Sequence, residues 1–278
     1  MAKYGIREVT DMVFKAKSAM SIGAKTFATG QPVLVIDSAK SSTLEGASTT
    51  VYAQGGRGNP RRIAWDGEKT LTFKFQDALI SPITASILMG AGLSEHTPYA
   101  QHVFGYVTCT TAGTLDCTGL VEDSLFLGAG DTAPTAFTAP VWATKVTDGE
   151  MAGTAEKVAN VTKINAIAVA AAKPGDQYMI DGYVTTTRGT SLKITPDKFA
   201  GSFEIVASTL WRREADGVDV PAQITIPNGK VKTAFTLTQS PSGDPSTFDF
   251  EVDALADYMS NDTSAVKKKV LCQIDILG

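Results

Sequence analysis

The chain has 278 residues, enough for one large domain or two modest ones with a true core. Hydrophobic residues make up 43% and charged residues 19%; Thr, Ser, Ala and Gly fill the shortfall in charge, which favours β-structure over helical bundles. A net charge of −4 argues against a generic nucleic-acid binder, because a mildly acidic surface repels phosphate rather than holding it.

No apolar h-region follows Met1, so no secretory signal is expected and the chain reads as made and folded in the cytosol. Val33 to Ile36 reads as a short buried strand and Ser42 to Ala53 as a longer, Thr-rich one. Gln54 to Arg62 is a turn-rich loop holding Arg57, Arg61 and Arg62. Thr70 to Gln76 alternates, with Leu71, Phe73 and Phe75 facing in and Thr72, Lys74 and Gln76 facing out. These segments suggest an antiparallel meander. The best helix is Ser81 to Met89. Ser81 suits the N-cap, Pro82 sits at N1 where its missing N–H is harmless, and Ile83, Ile87 and Leu88 form an apolar stripe. Gly90 and Gly92 supply the stop.

From residue 106 to 196 the texture changes to Ala, Thr and Gly with short apolar islands. Among these islands are Leu115 to Leu120, Leu125 to Leu127 and Val158 to Ala172. The region reads as an inserted β-rich domain, leaving 1–105 and 197–278 as a discontinuous core. Ile164 to Ala172 fits either a strand or a helix and is too short to span a bilayer, so no membrane anchor is expected. Cys109, Cys117 and Cys272 do not make a disulfide framework. Cys109 and Cys117 flank a Thr111-Ala-Gly-Thr114 turn, and two states fit them: reduced thiols, or a disulfide gained after release from the cell.

Phe199 to Arg213 is the longest strand predicted. It is apolar on both faces, which suits burial against another subunit. Asn228-Gly229 then predicts a hairpin joining Gln223–Ile226 to Val231–Leu237. In the second of these, Val231, Phe235 and Leu237 share one face and Lys232, Thr236 and Thr238 the other. Gly243-Asp244-Pro245 turns the chain into Phe248–Asp253, where Phe248, Phe250 and Val252 oppose Asp249, Glu251 and Asp253. Lys267 to Lys269 precedes a last apolar strand, Val270 to Leu277.

Chemistry is sparse. His96 and His102 have no partners at zinc-ligand spacing, and no G-x-S-x-G elbow is present. The loop from Gly55 lacks both the Walker pattern and the dinucleotide fingerprint. No catalytic group, cofactor or metal is therefore expected. The loop reads as a mobile hairpin tip or as a subunit contact in which Arg57, Arg61 and Arg62 meet acidic groups of a neighbour. The face bearing Asp249, Glu251 and Asp253 reads as ordinary solvent exposure, as a divalent-cation site, or as the lining of a channel that an anionic polymer slides past.

Gly58-Asn-Pro-Arg-Arg-Ile-Ala-Trp-Asp66 with Leu71 to Pro82 resembles the N-terminal half of phage tail tube proteins, especially the contractile-tail type. Ile226-Pro-Asn-Gly-Lys through Phe250 resembles the C-terminal half of the same group. The resemblance implies a mainly β fold: a tail-tube-like β-sandwich or barrel with one flanking α-helix, plus the inserted β-rich domain. It further implies a structural virion protein, not an enzyme. Hexameric rings would stack into a tube in the host cytoplasm, with partners in the tail sheath, baseplate and tape-measure proteins. Genomic DNA would cross the lumen without specific binding. Asp249, Glu251 and Asp253 would face that lumen, and Arg57, Arg61 and Arg62 would join ring to ring. Two rival readings are another virion component (sheath-associated, capsid-decorating or injection-tube-like) and an enzyme or carbohydrate-binding β-domain.

Overall fold

A computed structural model describes residues 2–95, 99–126, 132–158, 161–186, 189–237, 247–264 and 266–277. In chain order the elements begin with β1 (Tyr4–Ile6), β2 (Asp11–Ala16), β3 (Met20–Ile22), β4 (Lys25–Phe27), β5 (Pro32–Ile36), β6 (Ala39–Gln54) and β7 (Arg61–Asp77). Then come α1 (Pro82–Met89), β8 (Gly92–Glu95), β9 (Tyr99–Thr108), β10 (Thr114–Leu115), α2 (Thr118–Leu125), β11 (Phe137–Thr147), β12 (Glu150–Met151) and β13 (Glu156–Lys157). A 3-10 turn (Ile164–Ala166) leads into β14 (Ile167–Ala168), β15 (Gln177–Thr186) and β16 (Thr190–Lys193). The chain ends with β17 (Ser202–Arg213), β18 (Asp219–Val231), β19 (Phe248–Ala254) and β20 (Gln273–Ile276). The fold is mainly β. Two compact units divide it: Met1–Glu95 with Ser191–Gly278, and His96–Thr190.

The first unit is an antiparallel sheet in the order β5-β2-β17-β18-β19-β7-β6, with β1 on β17 and β20 on β18, curled as half a barrel. Period-two alternation sends Met12, Phe14, Phe73, Phe75, Phe203, Ile205, Phe250 and Val252 to one buried face. The aromatic rings hold that face together: Phe75 stacks on Phe250 with centroids 4.6 Å apart, and Phe14 meets Phe203 edge-on at 5.7 Å. Helix α1 adds Ile87 and Leu88 to the same core. Its ends are as the sequence predicts. The Ser81 hydroxyl accepts from Thr84 N–H at 3.0 Å, and Gly90 closes the helix at φ 60°, a left-handed conformation.

The hairpin expected at Asn228-Gly229 does not form. Strand β18 runs straight through both residues, and neither has the positive φ that a two-residue turn requires. Gly229 serves the core instead. A Cβ there would lie 2.7 Å from Val252 Cγ1 and 2.9 Å from Ile205 Cδ1, so the glycine admits two core side chains. Beside it, Pro227 and Asn228 together oppose Glu204 alone, because the register passes from Phe203↔Gly229 to Ile205↔Ile226. That is a bulge, a place where proline's missing donor is tolerated in a sheet. Residues 232–237 are consequently not a strand, and Phe235 and Leu237 are exposed. Thr238 and the Gly243-Asp244-Pro245 turn lie outside the described residues.

Strands β6 and β7, at 16 and 17 residues, exceed β17 at 12, the strand predicted longest. The N-terminal strand β2, with Met12, Phe14 and Ala16 buried, went unread in the sequence although it alternates cleanly.

The second unit is a five-stranded antiparallel sheet, β12-β11-β15-β9 with β13 on β11, and a small β10-β14 ribbon. Its core is largely aliphatic: Val103, Val107, Val141, Ile180 and Val184 from the sheet, and Val121 from α2. Helix α2 spans the gap between two of the apolar islands, Leu115 to Leu120 and Leu125 to Leu127. Asp116 helps start it, its carboxylate accepting from Thr118 N–H at 2.9 Å. Ile164 to Ala172 resolves its helix-or-strand choice as a 3-10 turn followed by two strand residues.

Candidate functional site

The longest exposed stretch among the described residues of the first unit is the end of the β6–β7 hairpin. Every residue from Glu45 to Thr70 is exposed except Ala53 and Gly55, which are half-buried. The residues beyond Glu45 extend about 30 Å at the usual strand rise. A bulge bends this arm: Gly67 and Glu68 together oppose Thr49, whose hydroxyl accepts from Glu68 N–H at 2.9 Å.

Register sorts the arm into two faces. Val51 lies opposite Trp65 and Ala53 opposite Ile63, making one apolar face. Val51, Ile63 and Trp65 are all more than half exposed. Thr50 opposite Asp66, and Tyr52 opposite Ala64, make the other face. On it the Arg61 guanidinium lies 4.2 Å from the Tyr52 ring centroid, a cation–π contact. A two-stranded hairpin has little stability alone in water, and an apolar stripe on it calls for a cover.

The tip holds the three arginines together. Gly56, Gly58 and Asn59 take positive φ there, and Asn59 N–H donates to Gly56 O at 3.0 Å. Arg62 packs its guanidinium against Gly56, where a Cβ would fall 2.6 Å from Nη2. Arg57, Arg61 and Arg62 are all exposed.

Asp249, Glu251 and Asp253 do share the wet face of β19, opposite Gln76, Lys74 and Thr72 of β7. They are not alone on it. Lys232 Nζ donates to Glu251 Oε1 at 2.6 Å and lies 3.2 Å from Asp253 Oδ1. Lys74 Nζ donates to Glu45 Oε2 at 2.8 Å, and the Thr72 hydroxyl donates to Asp253 at 3.1 Å. The Glu251 hydrogen bond raises the pKa of Lys232, and the Glu45 bond that of Lys74. Lys230, the cross-strand partner of Asp253, shares the face and donates its ammonium to the Ala200 carbonyl. Four carboxylates and three ammonium groups thus make a mixed face with a slight negative balance. The arginine tip lies some 12 residues along β7 from Lys74, about 40 Å. The two sets of predicted residues therefore lie at opposite ends of β7, the arginines at its start and the carboxylates on β19 beside its end.

Other candidates are structural. All three cysteines are free, with Cys109 and Cys117 buried. Burial pushes the Cys117 thiol up to about 12 and Cys272 to about 11. His102 Nε2 sits 3.3 Å from Asp181 Oδ1, while His96 is outside the described residues. Among the described residues no group of three or more His, Cys, Asp or Glu is placed to hold a metal, and no helix is long and apolar enough to cross a membrane.

The apolar face of the arm is what sequence reasoning missed. Its signal was present in Ile63-Ala-Trp65 and Val51-Tyr-Ala53, two short alternations on either side of a glycine-rich tip.

A curled antiparallel sheet with an aromatic core and an amphipathic arm defines a β-rich protein whose exposed surfaces suit contact with other chains. The chain belongs to the YomU/Tube protein family, whose model matches residues 5–268. That makes it a phage tube-type protein with a structural role in the virion tail. No curated protein matches the chain.

Proposed function

We propose that the chain is the repeating subunit of a phage tail tube and acts by self-assembly. Six copies form a ring in which neighbouring half-barrel sheets meet edge to edge and close around a lumen. The β6–β7 arm reaches from one ring onto the next. The observation that carries this reading is the exposed apolar stripe Val51, Ile63 and Trp65 on a hairpin too thin to bury it. A neighbouring ring supplies the missing cover, and Arg57, Arg61 and Arg62 at the tip add charged contacts to it.

The mixed face with Asp249, Glu251 and Asp253 lines the lumen. Lys232 and Lys74 are engaged by carboxylates, Lys230 by the Ala200 carbonyl, and the balance is slightly negative, so DNA phosphates find no strong anchor and slide past. The region 106–196 is an outer domain on the tube, and 1–105 with 197–278 forms its wall. A contractile sheath, a baseplate and a tape-measure protein are the partners of such a tube, which is assembled in the host cytoplasm and delivers the genome.

Negative-stain microscopy of purified protein tests the reading. Stacked rings with a central hole are expected. Removal of residues 54–62 is expected to leave rings and abolish long tubes. Tubes of unchanged length would refute the stacking role.

A further inference from the structure

A sheet with one face on a core ordinarily turns polar side chains to water. The five-stranded sheet of the second unit turns aromatics outward instead. Direct cross-strand partners point to the same side, so the register gives this face row by row. One row reads Lys157, Trp142, Asp181, Phe104. The next reads Thr144, Met179, Tyr106, and on the other side lies Thr138, Tyr183, His102. Phe104 is 62% exposed, Tyr106 59%, Tyr183 43% and Trp142 40%. Among the described residues of the unit the opposite face is already filled, by α2, by Val and Ile side chains and by Phe137 and Tyr178.

We propose that this face binds a neutral polysaccharide. Four observations select that ligand. The rings are not a continuous apolar patch: Asp181 sits between Trp142 and Phe104, and His102 packs on Phe104 and Tyr183 at centroid distances of 5.4 and 5.0 Å. Sugars have the matching pattern, with C–H faces that stack on rings and hydroxyls that bond to the polar groups between them. The polar groups are present and accessible. Asp181 and His102 are each nearly half exposed, and the Thr138 and Thr185 hydroxyls lie 3.1 Å apart beside Tyr183. A protein partner would have to desolvate the carboxylate, whereas a glycan hydroxyl replaces its water.

Charge excludes anionic polymers. The second unit carries nine Asp and Glu against five Lys and Arg, while the first carries twenty of each. The whole net charge of −4 therefore resides in the unit bearing the aromatic face. Finally, Trp142 and Phe104 stand two strand spacings apart, about 9.6 Å, with an acceptor between them. That spacing lets two rings of one extended chain be held together. The inference does not depend on tube assembly.

The test uses the full chain. Co-sedimentation with microcrystalline cellulose and chitin is measured beside heparin-agarose as an anionic control. Cello- and chito-oligosaccharides are titrated against tryptophan fluorescence. Retention on at least one neutral polymer is expected. Phe104→Ala and Trp142→Ala should each weaken it roughly tenfold, Phe104→Tyr should keep it, and thermal melting should stay unchanged. Failure to bind any neutral polymer overturns the proposal. So does preference for heparin, wild-type binding by both alanine variants, or loss of self-assembly rather than glycan binding in those variants.

Discussion

The two sheets of this molecule place their main aromatic clusters on opposite sides. The first unit buries Phe14, Phe73, Phe75, Phe203 and Phe250 and shows water a mixed charged face. The second fills its core mainly with Val and Ile, burying only Phe137 and Tyr178 among its described rings, and shows water Trp142, Phe104, Tyr106 and Tyr183. Rings inside hold a sheet together; rings outside, on a sheet that is already packed, are available to a partner. The β6–β7 arm falls between these cases, because its apolar stripe is covered only when another copy arrives.

Substitutions should separate these roles, and the largest effect is expected in the first core. Phe250→Ala removes a fully buried ring stacked on Phe75 and should cost about 3–5 kcal/mol of stability by denaturant unfolding. Phe104→Ala on the outer face of the second unit should change stability by no more than about 0.5 kcal/mol. Equal losses at the two positions would erase the distinction. Gly229→Val should cost about 1–3 kcal/mol through overpacking against Val252 and Ile205; a neutral result would mean that the strand is not locked there.

On the arm, the triple change Val51→Thr, Ile63→Thr, Trp65→Ser should leave the melting temperature of dispersed subunits nearly unchanged yet suppress tube growth, as read by sedimentation. A lowered melting temperature with normal tubes would assign the stripe to the fold. Thiol titration gives a smaller effect. With Cys117 raised to about 12 and Cys272 to about 11, both should react slowly with Ellman's reagent at pH 8 until denaturant is added.

The smallest effects are those of pH. Lys232 is raised by its Glu251 bond, so that contribution is complete below the ordinary lysine value of 10.5 and is lost as pH climbs through the raised value. Asp219 is lowered by Arg212, and Asp176 by Lys145. Their contributions are present above the ordinary carboxylate value of 3.8 and disappear as pH falls through the lowered values. Stability should be flat across neutral pH, with shallow losses at both extremes, because all these pairs are largely solvated.

Local signals were legible where chemistry is local. The Ser81 cap, Pro82 and Gly90 delimit α1 in sequence as in structure, and the alternation of Phe248 to Asp253 is that of β19. Asn228-Gly229 misled because the same dipeptide serves a tight turn or a crowded strand. Only the distant Val252 and Ile205 decide which. The arm was half legible. Its arginines and glycines marked a tip, but the length of the arm comes from cross-strand pairing of β7 with the Thr- and Ser-rich β6, whose intrinsic patterning is weak. The aromatic face of the second unit was hidden for the same reason, since Trp142, Tyr183 and Phe104 come together only through register across three strands.

The central claim is self-assembly through the arm, and electron microscopy of the purified chain beside the Val51/Ile63/Trp65 variant tests it most directly. The account predicts long tubes with an axial hole for the parent chain and isolated rings for the variant. A parent chain that stays monomeric at high concentration, or a variant that forms tubes of normal length, would contradict it.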